Sequence, residues 1–163
     1  MHAVWPILVA FLTGPSGDRP AVSTLVHVRA ASNAVTLLDE AAARSATVRA
    51  LIDRLAATDV IVYVEMTASP QIALARTKLV AATPGVRFLR IGIRGMLPPH
   101  DVTPLLAHEL QHAVEIAESA DVRDEDGLRR LYARIGHQHG MDSYETDAAR
   151  AVERAVRLEM KRK

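Results

Sequence analysis

The sequence predicts a single α+β domain: a small, mainly antiparallel sheet with helices packed on one side. Three observations lead there. The chain has 163 residues, enough for one domain with a sizeable core and too few for two. Hydrophobic residues make up 49% and charged residues 24%, the balance of a folded globular chain rather than a disordered one. Its segments read in order as strand, helix, three strands and then helices, an order that collects helices against one side of an antiparallel sheet.

Residues 1–20 stand apart from the domain, which is assigned to 21–163. Within them, 3–12 (AVWPILVAFL) has the length of a signal-peptide core but falls short of the roughly 20 residues of a membrane span. It lacks a basic flank and Pro6 interrupts it, so it reads as a signal-like segment or as a frayed end. The cytoplasm is slightly favoured over export, and no membrane association is expected beyond that segment.

Residues 21–29 (AVSTLVHVR) have the β-branched content of a strand. Leu38, Ala42, Val48, Leu51, Ile52 and Leu55 recur at helical spacing and predict one helix over 37–57. The apolar run 59–66 predicts a buried strand. Residues 71–81 and 86–94, separated by ATPG, predict a hairpin. In its second arm, VRFLRIGIR, Leu89, Ile91 and Ile93 share a face and Arg87, Arg90 and Arg94 flank them. That is the pattern of an edge strand protected by charge, which can also take up an extended peptide. A helix follows over about 103–119, with Asp101 or Thr103 as N-cap and Pro104 in the first turn. A shorter helix is expected at 128–135, a loop at 136–140 (GHQHG), and a last helix from Ser143 onward.

Composition excludes several functions. Aromatics are 4% and the net charge is +1, which leaves neither stacking platforms nor a basic footprint for nucleic acid. There is no cysteine, so disulfides, thiolate metal sites and thiol nucleophiles are ruled out together. Any metal must be held by nitrogen and oxygen, for which zinc is the default ion.

The stretch LLAHELQHAVEIAES carries the chemistry. Residues four apart share a helix face, so His108 and His112 can offer two imidazoles to one ion. Glu109 stands beside the first of them, where a carboxylate can take a proton from water attacking a carbonyl and return it to a leaving amine. With 7 histidines in the chain, a shuffled sequence would show the pattern roughly 0.02 times, so the motif carries weight. Its neighbours Leu105, Leu106, Leu110, Gln111, Ala113 and Val114 are uncharged, as in a metal helix packed into a domain interior.

On this motif, HELQH, the chain resembles the zincin metallopeptidases. The resemblance rests on this helix and more weakly on the strand order before it; it does not reach the N-terminal third. It implies a minimal zincin-like domain with a zinc-dependent peptidase activity, Glu109 as general base, and a peptide or protein substrate bound along 86–94. The metzincin pattern places a glycine and a third histidine shortly after the motif, where this sequence has Glu115 and Glu118. The gluzincin pattern takes a glutamate from a later helix, and SYETDAARAVERA offers Glu145 in its first turn, with Glu153 two turns on as an alternative. His137 and His139 are rivals for the same role. If they do not bind metal, one of them or Tyr144 can donate to the oxyanion of a tetrahedral intermediate. The gluzincin pattern also has an aspartate where Ala149 stands here, so the carboxylate that orients a ligand histidine must come from elsewhere. His100 and His27 read as structural or exposed. Two other functions stand beside the peptidase: an inactive zincin-like binding or structural module, and a hydrolase of non-peptide amides.

Overall fold

A computed structural model describes residues 27–68, 74–138 and 144–162 of the chain. The predicted N-terminal segment 1–20, the first residues of the expected strand 21–29, and His139 lie outside the described residues.

The architecture is α+β. Strand β1 (Val28–Ala30) is followed by helices α1 (Val35–Arg44) and α2 (Ala46–Ala56), then β2 (Val60–Thr67), β3 (Ala75–Thr83) and β4 (Val86–Arg94). Next come helix α3 (Pro99–Ala117), helix α4 (Glu125–Ile135), strands β5 (His137–Gln138) and β6 (Tyr144–Glu145), and helix α5 (Asp147–Lys161). Among the described residues no helix is long and apolar enough to cross a membrane.

The main sheet has the order β1-β2-β4-β3. It is mixed, not mainly antiparallel as expected: β1 with β2 and β2 with β4 are parallel, and the β3–β4 hairpin alone is antiparallel. The reason is topological. The α1–α2 pair supplies the crossover that a parallel β1–β2 pairing needs, and β4 inserts beside β2 while β3 is displaced to the edge.

That displacement corrects a second expectation. Strand 86–94 is interior, hydrogen-bonded on both sides, and among the described residues the edge strands are β3, next to it, and the short β1 on the far side. The arginines of β4 therefore have other work. Arg87 is fully buried on the inner face; it pairs with Asp59 at 2.5 Å and donates to the carbonyls of Ile116, Ala117 and Ser119 at 2.7–2.8 Å. It thus satisfies the Ala117 carbonyl at the end of α3 and adds a second donor to those of Ile116 and Ser119, which already accept backbone N–H groups. Arg90 faces outward, 3.8 Å from Glu65.

The core lies between the inner face of the sheet and the helices. Val60, Val62 and Val64 of β2 and Leu89, Ile91 and Ile93 of β4 are fully buried, as period-2 alternation requires. Against them pack Leu106, Leu110 and Ala113 of α3 and Leu51, Ile52 and Leu55 of α2. On the opposite face of the sheet Tyr63 and Val80 remain exposed.

The expected helix 37–57 is two helices. Ser45 leaves helical geometry, with φ −122° and ψ 119°, and caps α2 by accepting from the Val48 N–H at 3.0 Å. Its hydroxyl in turn donates to Glu159 of α5 at 2.6 Å, and the Thr47 hydroxyl donates to the same carboxylate at 2.7 Å. An anion at that helix N-terminus is favoured by the backbone dipoles. α3 begins at Pro99, four positions before Thr103, because a proline at N1 loses no helical hydrogen bond and has φ already set. Pro104 consequently lies inside the helix rather than in its first turn.

Candidate metal centre

α3 runs through the middle of the domain, and its buried face carries the motif. His108, Glu109 and His112 are each exposed by less than a tenth. The two imidazoles lie one helical turn apart and aim the same atom at one point: His108 Nε2 and His112 Nε2 are 3.2 Å apart. The third group comes from β6, where Glu145 Oε1 lies 3.4 Å from His108 Nε2. These three ligand atoms all fall within 4.8 Å of one another. In a tetrahedron with ligand bonds of about 2.05 Å, neighbouring ligand atoms are about 3.3 Å apart, so the two closest separations match the edges of a zinc-sized site.

The far side of each imidazole supports that assignment. His112 Nδ1 is 2.8 Å from Glu115 Oε2, and His108 Nδ1 is 3.2 Å from Glu153 Oε2. A carboxylate at Nδ1 selects the tautomer with its proton there and leaves Nε2 as a lone-pair donor. Two such lone pairs facing each other at 3.2 Å repel unless a cation or a proton lies between them. The donor set, two imidazole nitrogens and one carboxylate oxygen with carboxylates behind both rings, thus fits zinc.

Glu115 and Glu153 answer the question raised by Ala149. Neither role is evident from a motif, although Glu115 stands three residues after His112, a spacing that places it on the same face of the helix. Glu115 is held in turn by the Thr146 hydroxyl at 2.7 Å, and Thr146 caps α5. Burial pulls the His112 imidazole down, but its hydrogen bond to Glu115 and the charges of Glu109, Glu115 and Glu145 outweigh this and raise it above the usual histidine range. Burial pushes the Glu115 carboxyl up; the hydrogen bonds from His112 and Thr146 prevail and hold it low.

Glu145 is not in the first turn of a helix. It belongs to the short strand β6, paired with β5, and α5 starts two residues later because Thr146 takes the N-cap position. The expected loop 136–140 accordingly includes a strand, His137–Gln138. His137 sits opposite Glu145 in that pairing, yet its side chain is exposed and does not join the ligand group. His100 is exposed and 3.5 Å from Asp101, and His27 hydrogen-bonds the Val60 carbonyl at 2.9 Å.

A cleft of about 1360 Å³ opens over this group. It is bounded by β3, α3, α4 and β6, with Leu79, Leu105 and Leu128 among its apolar walls and His108, Glu109 and Glu145 within. Tyr144 lines it and stacks on Tyr132, with ring centroids 5.0 Å apart and planes 9° from parallel. The Tyr132 hydroxyl approaches His112 Nδ1 at 3.3 Å, and burial, reinforced by the charges of Glu115 and Glu109, pushes that phenol well above its ordinary range. Neither Tyr132 nor Thr77, which hydrogen-bonds Glu109, carries a motif that would mark it in the sequence.

No known protein family, curated protein or solved structure matches the chain.

Proposed function

We propose that this chain is a zinc-dependent peptidase of the zincin type, with His108, His112 and Glu145 as metal ligands and Glu109 as general base. The observation that carries the reading is the pair of imidazoles converging at 3.2 Å on a third, carboxylate donor, each backed at Nδ1 by a glutamate. Zinc bound there supplies Lewis-acid polarisation and activates water.

The chain's own residues account for the rest of the chemistry. Glu109 follows the first ligand directly and lines the cleft, where its carboxylate takes the proton of the attacking water and delivers it to the leaving amine. Tyr144 lines the same cleft, and its hydroxyl is the donor we assign to the oxyanion. The substrate strand is reassigned with the sheet edge: an extended peptide adds to β3, whose outer side is unpaired among the described residues, rather than to β4.

Glu109→Gln is expected to abolish hydrolysis of every peptide the parent cleaves while retaining about one zinc per chain, measured by plasma mass spectrometry. Undiminished cleavage by that variant would sink the mechanism. A parent chain that binds zinc and cleaves nothing in a broad peptide library would favour the inactive binding module instead.

A further inference from the structure

Proton transfer by Glu109 requires that its carboxylate be held in one place, because a glutamate side chain has several rotamers of similar energy. Nothing on α3 holds it. The restraint comes from the sheet: the Thr77 hydroxyl lies 2.6 Å from Glu109 Oε2 and 3.1 Å from the Glu109 carbonyl. A hydroxyl has one proton, and the shorter contact to the charged acceptor takes it.

The placement of Thr77 follows from strand geometry. It pairs with Ile91, whose side chain is buried on the inner face, and alternation puts Ala75, Thr77 and Leu79 on that same face. All three line the cleft. Among the described residues Thr77 is the one side chain that hydrogen-bonds the Glu109 carboxylate, and Oε1 carries no hydrogen bond. β3 is also an edge strand of the sheet.

We infer that Thr77 is a positioning residue for the reaction: by fixing Oε2 it presents Oε1 to the water, and it ties the general base to the strand along which the peptide lies. The inference rests on the peptidase reading. In the step it serves, a water O–H bond breaks as its proton passes to Oε1, while the water oxygen bonds to the peptide carbonyl carbon. The same proton later reaches the amide nitrogen as the C–N bond breaks.

The test uses the zinc-loaded full chain and the peptide it cleaves fastest in an internally quenched library. kcat, KM and zinc content are measured for the parent, Thr77→Val, Thr77→Ala, Thr77→Ser and Glu109→Gln. The Val and Ala variants are expected to keep zinc and a KM within about twofold of the parent while kcat falls about 10- to 100-fold. Thr77→Ser, which keeps the hydroxyl, should recover most of the loss. The inference is overturned if either variant lacking the hydroxyl keeps kcat within about twofold, if kcat falls only in step with zinc, or if Ser does no better than Val. An inactive Glu109→Gln beside a fully active Thr77→Val removes this inference and leaves the peptidase reading intact. A parent that cleaves nothing, or a fully active Glu109→Gln, removes both.

Discussion

Arg87 has the largest of the fully buried side chains, and its N–H donors meet Asp59 and carbonyls at the end of α3. The Arg87 hydrogen bond holds the Asp59 carboxyl below the ordinary carboxylate range, against an opposing effect of burial. The unfolded chain therefore takes up this proton more readily than the folded one. The stabilisation is fully present above the unfolded pKa of about 3.9 and is lost as pH falls through the lower folded value. Asp59→Asn should consequently be less stable than the parent at pH 7, and should lose less further stability between about pH 5 and pH 2. Denaturant midpoints across that interval check this; parallel acid limbs in the two proteins would contradict it. In the sequence, alternation puts Arg87 on the face of Leu89 and Ile91 and Arg90 on the other, but it does not show whether a partner lies beneath a buried arginine. That is why β4 looked like an edge. His108, Glu109 and His112 were legible for the opposite reason, since helical periodicity fixes their spacing; Glu145 came from the resemblance to the gluzincin pattern, which placed it in a first helical turn where the structure has strand β6. The partners Thr77 and Glu153 were not legible, because their roles depend on contacts between elements, whereas Glu115 stands one turn from His112 on the same helix and its spacing could have marked it.

At the scale of elements, the breaks were harder to read than the periodic stretches. The apolar pattern of 37–57 is continuous across Ser45, and what divides it is Glu159, 114 positions further along. Likewise the strand β6 is only two residues long, and it exists because β5 pairs with it. α4 supplies a test of this level. Its N-cap Asp124 accepts from the Gly127 N–H at 2.7 Å, and a Cβ on Gly127 would meet the Asp121 carbonyl oxygen at 2.8 Å and Val122 Cα at 3.0 Å. Helix propensity alone would make alanine better than glycine there by about 1 kcal/mol. Both contacts are to backbone, so the turn that leads out of α3 must shift. Gly127→Ala is therefore expected to destabilise the fold, by about 1–3 kcal/mol in urea unfolding. A stabilised variant would show that this turn yields freely. Since Leu128 and Tyr132 of α4 border the cleft, the variant should also weaken the proposed zinc-dependent hydrolysis.

Across the whole molecule, one central helix and three other elements converge on the candidate ligand group. α3 carries His108 and His112 of that group, β6 carries Glu145, and α5 and β3 carry the side chains that hydrogen-bond His108 and Glu109. An ion that binds the folded chain and not the unfolded one adds stability by mass action, about 2.7 kcal/mol at a hundred times its dissociation constant. For a domain of this size that amounts to a rise in Tm of about 5–10 °C on adding zinc to chelator-treated protein. Scanning calorimetry should show the rise in the parent and not in His112→Ala. An equal shift in both would place the ion elsewhere. The coarse α+β class followed from the order of segments, but the direction of strand pairing did not, because a sheet's order depends on which connection crosses over it.

The junction of α3 with β6 has a topological consequence. His112 and Glu145 are about 30 residues apart in a chain that has no cysteine with which to bridge them. An ion gripped by both closes that stretch, which includes all of α4 and the β5–β6 pair, into a loop. Unlike a disulfide, such a staple is absent from an unfolded chain that does not bind the ion, so it restrains local opening of that stretch in the folded chain rather than constraining the unfolded one. The group proposed to perform the chemistry would then also tie together a folded chain that has no cysteine for a disulfide.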